Sequence, residues 1–424
     1  MTSLKDKVYS LLRRSEGVFK TDMVYLAKGG FWITFGQVFS NILSLGLLIA
    51  FANFLPKETY GLYRYILSLA SVLNVFTLTG MNNAVARSVA SGDEGALRSS
   101  VRYQLKWNVI MLLAFWTLSG YYFLHHDQLF SASFFILGLF VPATLAFNTY
   151  GSYLEGKKDF RSASIFNILS TFIYVLGAFA ALFIKGEVIW LILAYALTTF
   201  FTTYVFYKIT LRRFHPPLHT SGEAITYGRE LTFIGFVDPI ASQLDKILLT
   251  HFWGPAQLAV YALAMAVPER AISLIKNWVG LGFPNFASKT AKELNHLFYT
   301  RIIQGLIVGI LCFGMYMLLA PYLFAYLLPK YLDALPYSKI LALSFIFAIP
   351  NRYVSLLLVS QKFSKTIFIN SIIQNVIKIS LYLILGISGG ITGLVLAFVL
   401  VNLLGMIANI TIWKVRTRNS ASLA

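Results

Sequence analysis

The sequence predicts an all-α polytopic membrane protein, with twelve transmembrane helices in two six-helix bundles related by a pseudo-two-fold axis along the membrane normal. Three observations predict this fold class. The 424 residues are 57% hydrophobic and only 12% charged, whereas soluble proteins carry about 25% charged residues. Apolar segments of about 20 residues, enough to cross a ~30 Å hydrocarbon layer, recur along the chain. Two short patterns in the first half also return in the second half.

The apolar segments define the predicted spans. They occupy residues 29–53, 62–80, 107–124, 130–154, 165–184, 188–207, 231–252, 258–281, 302–328, 339–360, 367–387 and 391–413. Their connections alternate between short loops, such as 185–187 and 388–390, and longer basic loops, such as 81–106 and 208–230. Because Lys and Arg concentrate in cytoplasmic loops, this alternation places both termini in the cytoplasm. The net charge of +18 is therefore mostly topological and does not indicate nucleic-acid binding.

The domain organisation follows from the spans. Residues 1–28 form a cytoplasmic N-terminal segment, in which 4–20 fit an amphipathic helix on the inner leaflet or, alternatively, a solvated basic tail. An N-lobe (29–207) and a C-lobe (231–413) flank a cytoplasmic linker (208–230), and 414–424 form a cytoplasmic tail. The linker contains Pro216-Pro217, which disfavours a continuous helix, and 222–230 fit a short surface helix.

Internal repeats support the division into two lobes. The segment FLPKETYGLYRY (54–65) corresponds to FWGPAQLAVYALAM (252–265), and KKDFRSASIFN (157–167) corresponds to QKFSKTIFIN (361–370). Both pairs are separated by about 200 residues. Because each half contains an even number of spans, the two halves have the same orientation and the repeat is parallel.

With these segments, the chain resembles the polysaccharide transport branch of the MOP superfamily, whose Wzx-type members are bacterial flippases for lipid-linked oligosaccharides such as O-antigen units. The resemblance rests on the twelve spans, the parallel repeat, LPKETYGLYRY and GKKDFRSASIFNI. It implies a central cavity that opens alternately to each side of the bacterial plasma (inner) membrane. It also implies an undecaprenyl-pyrophosphate-linked oligosaccharide as substrate, a monomer, and polysaccharide polymerase and glycosyltransferases as partners.

Charged residues at membrane depth indicate a polar interior. A charge at the bilayer centre costs about 2.5–3.5 kcal/mol on insertion scales, and the stretch 231–282 alone carries six. Across all spans the deep cations outnumber the carboxylates Asp238, Asp245 and Glu269. An excess of cations suits a pyrophosphate, which Arg binds through paired hydrogen bonds. The predicted substrate-binding residues are Arg270, Arg352, Lys378, Arg64, Lys276 and Lys246.

Two alternatives remain for these cations. They can form internal ion pairs that set helix packing, and Arg64 can extend to the outer interface because it lies near the start of its span. Polar side chains also repeat at helical spacing, as in Asp238, Ser242 and Asp245, which predicts that they share one face. We expect Na⁺ or a proton to couple transport at a group of oxygen-bearing side chains: Asp238, Asp245, Asn370, Asn375 and Asn402.

Polar stripes in the first half are milder. Gln37, Asn41 and Ser44 lie on the first span, and Asn167, Ser170 and Tyr174 on the fifth. We expect hydrogen bonds between helices here, with sugar binding as the alternative.

Other function classes fit less well. A MATE-like, cation-coupled multidrug exporter shares the predicted architecture but calls for an acidic cavity. A membrane polymerase or ligase calls for a large outer loop, and a purely structural role leaves the deep charges unexplained. His125-His126-Asp127 resembles a metal-binding string but fits an exposed turn better, and Cys312 is the only cysteine. The sequence therefore predicts a transporter and not an enzyme, with no metal or other cofactor.

Overall fold

The computed structural model describes residues 23–218, 222–280, 291–360 and 364–421, and all regular elements in these ranges are helices. Within them, eight helices are long and apolar enough to cross a membrane, or up to nine if the bent pair Lys57–Phe76 and Met81–Ala90 is one span. The protein is therefore a multi-pass membrane protein. The predicted helix over 4–20 lies outside the described residues.

The helices follow one another with short connections. The first half contains α1 (Met23–Phe54), α2 (Lys57–Val72), α3 (Met81–Ala90), α4 (Ala96–Trp107), α5 (Val109–Leu124), α6 (Gln128–Phe147), α7 (Thr149–Gly156), α8 (Phe160–Ile184) and α9 (Val188–Phe214). The second half contains α10 (Glu223–Ile234), α11 (Asp238–Trp253), α12 (Pro255–Gly280), α13 (Ala291–Leu327), α14 (Leu335–Ala342), α15 (Ser344–Ser360) and α16 (Ser364–Ala421). Short 3₁₀ helices occupy Leu73–Phe76 and Pro329–Ala334.

Each predicted span falls mainly on helix, and the all-α fold class is confirmed. The last two predicted spans both lie in α16, which is broken at Gly390 (φ 55°, ψ −134°). Gly254, between α11 and α12, likewise has φ 86°. Both glycines lie in short loops between predicted spans, where a positive φ lets the chain reverse at little steric cost.

Two segments differ from the sequence prediction. The basic connection 81–106 is not a loop but contains α3 and most of α4. The seventh span begins at Asp238 and not at 231, because 231–234 complete α10 and the chain breaks before α11. Pro239 lies in the first turn of α11, where its missing amide hydrogen has no helical partner to lose. The short helix predicted at 222–230 is present as α10.

Helix α10 packs against α3 at the bend of the second span. The backbone N–H of Gly80 donates to Thr232 Oγ1 (3.0 Å), and the Arg87 guanidinium lies 4.8 Å from the centre of the Tyr227 ring. A Cβ at Gly80 would lie 2.6 Å from the Gly228 carbonyl oxygen, so the two helices meet without room for a side chain. The linker is therefore attached to the first half of the chain.

One compact unit comprises residues 36–262 and 327–331. It includes α11, which packs against α2. Gly61 of α2 also meets the start of α12, where a Cβ on Gly61 would lie 1.8 Å from the Pro255 carbonyl oxygen. The two repeated segments, 54–65 and 252–265, thus touch each other. The lobe boundaries drawn from the sequence remain a prediction, and the packing adds that α11 belongs to this unit.

The family-like segment 157–167 forms a polar junction in this unit. Lys157 pairs with Glu94 (2.5 Å), and Asp159 caps α8 by accepting from Ser162 N (3.1 Å). Arg213, at the end of α9, lies 3.2 Å from Asp159 Oδ2. The hydrogen bond from Lys157 lowers the pKa of Glu94 below its ordinary value. This segment therefore joins the ends of α7, α8 and α9 to the turn before α4.

The second unit comprises residues up to Phe35, Leu263–Tyr326 and Leu332–Ala424. Its cores combine aliphatic and aromatic side chains, and the fully buried Trp413 stacks on Phe298, with ring centres 5.8 Å apart. Ser338 Oγ donates to the Ala264 carbonyl (2.7 Å) and contacts Tyr316 Oη (2.6 Å). These bonds tie α12, α13 and α14 together.

Candidate functional site

The first unit contains a partly open cavity of about 240 Å³ between α2, α6, α9 and α11. We call it the Arg64–Lys246 cavity after its two cations. Helices α2 and α11, which pack against each other, provide most of the polar lining, and α6 provides Val141 and Leu145. The polar and charged residues that line it are Arg64, Ser68, Ser71, Asn74, Tyr195, Gln243 and Lys246.

The charge of this cavity is positive. Lys246 Nζ donates to Gln243 Oε1 (2.9 Å), which is a neutral partner. Both Arg64 and Lys246 are partly exposed. None of the residues described as lining the cavity is Asp or Glu. A confined anion would therefore be attracted by two cations in a medium of lower dielectric constant than bulk water.

Arg64 belongs to a polar stripe that our sequence analysis missed. Arg64, Ser68, Ser71 and Asn74 follow one another at intervals of four, three and three, which places them on one face of α2 and its 3₁₀ extension. The same spacing rule that we applied to α11 would have found them. The expectation that Arg64 merely extends to the interface is not what the structure shows, because Arg64 lines the cavity together with a residue of another helix.

A group of tyrosines supports the cavity on the α9 side. Tyr195 lines the cavity, its ring meets that of Tyr174 edge-to-face at 5.8 Å, and Tyr174 Oη is 2.8 Å from Tyr63 Oη. Of the other polar residues predicted on the first and fifth spans, Asn167 bonds a neighbouring helix: its Nδ2 donates to Ser40 Oγ (3.1 Å) across α8 and α1. Gln37 donates to Asn41 (3.2 Å) within α1.

The predicted α11 stripe does not share one environment. Asp245 is buried, at 4% exposure, whereas Asp238 and Ser242 are exposed. Tyr261 Oη donates to Asp245 Oδ2 (2.8 Å), and Asp245 Oδ1 is buried without a hydrogen-bond partner among the described residues. A spacing of i, i+4, i+7 gives a common side of a helix but not a common depth, which depends on the packed neighbours. Among the coupling candidates on α11, Asp245 therefore stands out because it is buried and has one oxygen without a hydrogen-bond partner.

The second unit holds the other predicted cations. Arg270 Nη1 donates to the Ala266 carbonyl of its own helix (2.8 Å), and Lys378 Nζ lies 5.6 Å from the centre of the Tyr382 ring. Arg352 is partly exposed, and its Nε is buried with no hydrogen-bond partner in the described chain. The side chain of Lys276 lies outside the described residues. Their roles in substrate binding remain predictions.

The predicted amide ligands of the second unit have other partners. Asn370 Nδ2 donates to Asn409 Oδ1, and Asn370 Oδ1 accepts from Gln374 Nε2 (3.2 Å). Asn402 Nδ2 donates to the Phe398 carbonyl of its own helix (2.9 Å). Asn375 is partly exposed on α16. Asn409 Nδ2 in turn donates to Asn351 Oδ1 (2.5 Å). We call these four linked residues, Gln374, Asn370, Asn409 and Asn351, the carboxamide chain.

Metal-binding side chains do not cluster in the described ranges: they contain no group of three or more His, Cys, Asp and Glu that could hold a metal ion. In the string His125-His126-Asp127, both histidines are exposed. Asp127 Oδ1 accepts from the backbone N–H of Phe130 (3.1 Å) and so caps α6. This string acts as a helix cap.

Comparisons with known proteins agree with this architecture. A family model described as polysaccharide biosynthesis protein matches residues 26–275, which is more than half of the chain. An outward-facing multidrug resistance MATE-family transporter of the MOP superfamily matches with a TM-score of 0.62 and 15% identity, over 94% of this chain and 97% of that one. An inward-facing structure of such a transporter gives 0.62 and 17%, over 95% of each chain.

A third solved structure differs in its description. It is a MOP-superfamily transporter from Pyrococcus furiosus, described by a reverse polarity of its binding pocket that suggests a different function. It matches with a TM-score of 0.62 and 15% identity, over 92% of this chain and 95% of that one. No curated protein sequence matches the chain. At these identities the solved structures show the fold, and the family model shows the family. The chain therefore belongs to the polysaccharide biosynthesis protein family and has the fold of the multi-pass transporters of the MOP superfamily.

Proposed function

We propose that the protein is a flippase that carries a polyprenyl-pyrophosphate-linked oligosaccharide from the inner to the outer leaflet of the bacterial plasma membrane by alternating access. The transported intermediate would serve the assembly of a surface polysaccharide such as O-antigen or capsule. The observation that carries the proposal is the Arg64–Lys246 cavity, which presents two cations and no acidic side chain among its described lining residues.

The chemistry of the substrate fits this cavity. A pyrophosphate offers several oxygen acceptors and more than one negative charge, which suit an arginine fork and a lysine ammonium together. The hydroxyl, amide and phenol groups of Ser68, Asn74 and Tyr195 add neutral hydrogen-bonding groups for the first sugar. The prenyl chain can remain in the lipid, because only the polar head group has to avoid the hydrocarbon layer.

The family also supports the proposal. Proteins of the matched family are described as acting in polysaccharide biosynthesis, and the fold is shared with transporters. A polysaccharide intermediate built on the cytoplasmic face has to be carried across the membrane, and a transporter of this architecture can do so. We propose a monomer with cytoplasmic termini that works beside polymerase and glycosyltransferases.

Asp245 is our candidate for ion coupling. Asp245 is 4% exposed, and its Oδ1 has no hydrogen-bond partner among the described residues. This open oxygen is the atom at which we place Na⁺ or the coupled proton. We therefore expect Asp245→Asn to abolish the dependence of transport on the ion gradient and Asp238→Asn, at an exposed position on the same helix, to preserve it. Retained coupling in Asp245→Asn would contradict the assignment.

A multidrug exporter is the alternative function, because two of the structural neighbours are multidrug resistance transporters. Export of organic cations calls for carboxylates in the cavity, and the described lining here is cationic. The Pyrococcus furiosus neighbour, described by a reverse polarity of its binding pocket, suggests that pocket charge varies within this fold. Cavity charge therefore favours an anionic substrate for this chain.

The test is complementation of a deletion strain, with lipid-linked oligosaccharide followed on each side of the membrane. Without the protein, the intermediate should accumulate on the cytoplasmic face. Wild type should restore its translocation, whereas a variant with both Arg64→Gln and Lys246→Gln should not. Arg102→Gln is the matched control, because Arg102 is an exposed helical cation outside the cavity.

The variants can be compared with wild type only if each inserts into the membrane to the same extent as wild type. If the deletion strain distributes lipid-linked oligosaccharide between the two faces as wild type does, and becomes sensitive to cationic dyes, the protein is an exporter and not a flippase. Full translocation by the double variant would show that the Arg64–Lys246 cavity does not bind the substrate.

A further inference from the structure

The Arg64–Lys246 cavity is not uniform along its α2 wall. That wall carries a stripe of four polar residues: Arg64, Ser68, Ser71 and Asn74. The first and the last are ten positions apart in the chain, which corresponds to about 15 Å along a helix axis at 1.5 Å per residue. The α2 wall is therefore charged where it begins, at a guanidinium, and neutral where it ends, at a carboxamide.

Hydrogen bonds place α6 beside the neutral part of this wall. Thr77 Oγ1 donates to Asn108 Oδ1 (2.8 Å), and Asn108 Nδ2 donates to the Pro142 carbonyl of α6 (2.7 Å). The Thr77 backbone N–H donates to the Asn74 carbonyl (3.0 Å). Val141, which precedes Pro142, lines the cavity. We call the three lining residues at this level the neutral end of the cavity: Asn74, Val141 and Leu145.

The neutral end has a fixed frame. Thr77 and Asn108 are 4% and 1% exposed, and both are hydrogen-bonded as described above. Trp107 Nε1 also donates to the Phe76 carbonyl (3.1 Å), close to where the second span bends. Buried polar groups whose hydrogen bonds are made hold one arrangement. The end of the α2 stripe and the adjoining part of α6 are therefore positioned before any ligand arrives.

The Asn74 carboxamide is open to the cavity. Ser68 and Ser71 each donate to a carbonyl of their own helix (2.8 Å), and Gln243 Oε1 accepts from Lys246 Nζ. Asn74 is partly exposed, and its side chain makes no hydrogen bond to any other residue in the described ranges. A carboxamide offers two donor hydrogens and two acceptor lone pairs. Asn74 therefore keeps its whole hydrogen-bonding capacity for the contents of the cavity.

The chemistry of the neutral end matches an acetamido group. Such a group has an N–H donor and a carbonyl acceptor, which a carboxamide can pair with, and a methyl group, which aliphatic carbons can cover. Val141 and Leu145 are partly exposed, so their carbons can be reached. A hydroxyl would also bond Asn74 but would leave these two aliphatic side chains without an apolar contact.

We propose that the neutral end is a subsite for the acetamido group of the sugar next to the pyrophosphate. Asn74 is the specificity-determining residue, and Val141 and Leu145 contact the methyl group. The substrate class is a polyprenyl pyrophosphate that carries an N-acetylated sugar, with its phosphates at the two cations and its sugar towards Asn74. This inference rests on the proposed function, which supplies a lipid-linked glycan as cargo.

The experiment measures equilibrium binding of three short-prenyl pyrophosphates to the purified full-length protein. One carries N-acetylglucosamine, one carries glucose, and one carries no sugar. Wild type should bind the N-acetylglucosamine compound about tenfold more tightly than the glucose compound, as expected for two added hydrogen bonds. The sugar-free compound reports the pyrophosphate contacts alone.

Asn74→Leu is the informative variant, because it keeps the size of the side chain and removes its hydrogen-bonding groups. It should lose the preference for N-acetylglucosamine and keep its affinity for the sugar-free compound. Asn83→Leu is the matched control, since Asn83 is an exposed residue of α3 that does not line the cavity. Val141→Thr, which replaces a methyl group by a hydroxyl at constant size, should lower the preference by about threefold.

A variant with both Arg64→Gln and Lys246→Gln tests the other part of the cavity. It should weaken binding of all three compounds by a similar factor and preserve the preference for N-acetylglucosamine, because it leaves the neutral end intact. Loss of the preference in this double variant, with Asn74→Leu unchanged, would overturn the assignment of the sugar to Asn74.

The remaining outcomes separate the two proposals. If wild type binds the N-acetylglucosamine and glucose compounds equally well, or if Asn74→Leu keeps the preference, the subsite is wrong, whereas tight binding of the sugar-free compound still supports the proposed function. If wild type binds none of the three compounds, the proposed function fails and the subsite fails with it.

Discussion

The Arg64–Lys246 cavity and the carboxamide chain are two polar regions inside an apolar protein. They differ in charge and in how deeply their side chains are buried. The cavity carries net charge, and its two cations stay partly exposed around about 240 Å³ of space. The carboxamide chain is neutral, and its inner members are almost completely buried because they saturate one another. The charged side chains lie beside a space that a ligand could occupy, whereas the neutral amides are buried between helices.

The difference follows from the free energy of burial. Removing a charged group from water costs several kcal/mol even after relaxation, so charged side chains are favoured where water or an ion of opposite charge can reach them. A carboxamide costs much less to bury once its hydrogen bonds are made. The cavity is therefore the region expected to change its contents, and the carboxamide chain the region expected to hold helices in place.

The largest effect should come from reversing the charge of the cavity. Arg64→Glu would leave one cation and one carboxylate facing the same space, and the two would pair. We expect binding of a short-prenyl pyrophosphate to weaken by roughly a hundredfold, since charge-assisted hydrogen bonds contribute more than neutral ones. Titration calorimetry on purified protein measures the affinity. Arg102→Glu controls for net charge, and an equal loss in both variants would show that the cavity has no special role.

Displacing α2, the helix that carries Arg64, should have the next largest effect. In Gly61→Ala, the new methyl group would lie 1.8 Å from the Pro255 carbonyl oxygen, so α2 has to move away from the start of α12. Overpacking of this kind costs about 1–3 kcal/mol. We expect a lower thermal midpoint and weaker pyrophosphate binding. Gly46→Ala serves as control because a Cβ there has no atom within 4 Å; equal midpoints for the two variants would contradict the close contact.

Breaking the carboxamide chain should lower stability without touching the cavity. Asn409→Leu removes the central member and leaves Asn370 and Asn351 each without one partner, at a cost of about 2 kcal/mol. Asn402→Leu, on the same helix, should cost about 0.6 kcal/mol or less, because Asn402 bonds only its own helix. Unfolding by denaturant in micelles gives both values. Similar destabilisation by the two variants would mean that the chain does not act as a unit.

The smallest effect should come from the surface pair Glu94–Lys157. Its side chains are 31% and 28% exposed, so Glu94→Gln should destabilise the protein by about 0.5 kcal/mol at neutral pH. Because the folded protein lowers the pKa of Glu94, the pair stabilises above the ordinary value of 4.5 and loses this contribution as the pH falls through the lowered pKa. Wild type and variant should then converge in acid. A difference in stability between wild type and Glu94→Gln that persists in acid would show that the Glu94–Lys157 pair does not cause it.

Much of the fold could be predicted from the sequence, because hydropathy and helical spacing are local properties. The spans, the short glycine turns and the helix at the linker all follow from such signals. The break before α11 was missed because its apolar residues continue those of α10, although Pro239 marks a helix start. Helices α3 and α4 were missed because their basic residues suggested a loop.

The candidate site was only partly predictable. The sequence by itself determined that deep cations outnumber deep carboxylates, and so determined the sign of charge that a ligand should carry. It could not determine that Arg64 and Lys246 line the same cavity, that Asp245 is buried while Asp238 is exposed, or that Asn370 joins Asn409. Helical spacing specifies which side of a helix a residue occupies. Only tertiary packing decides which other helix faces that side and how much water remains between them.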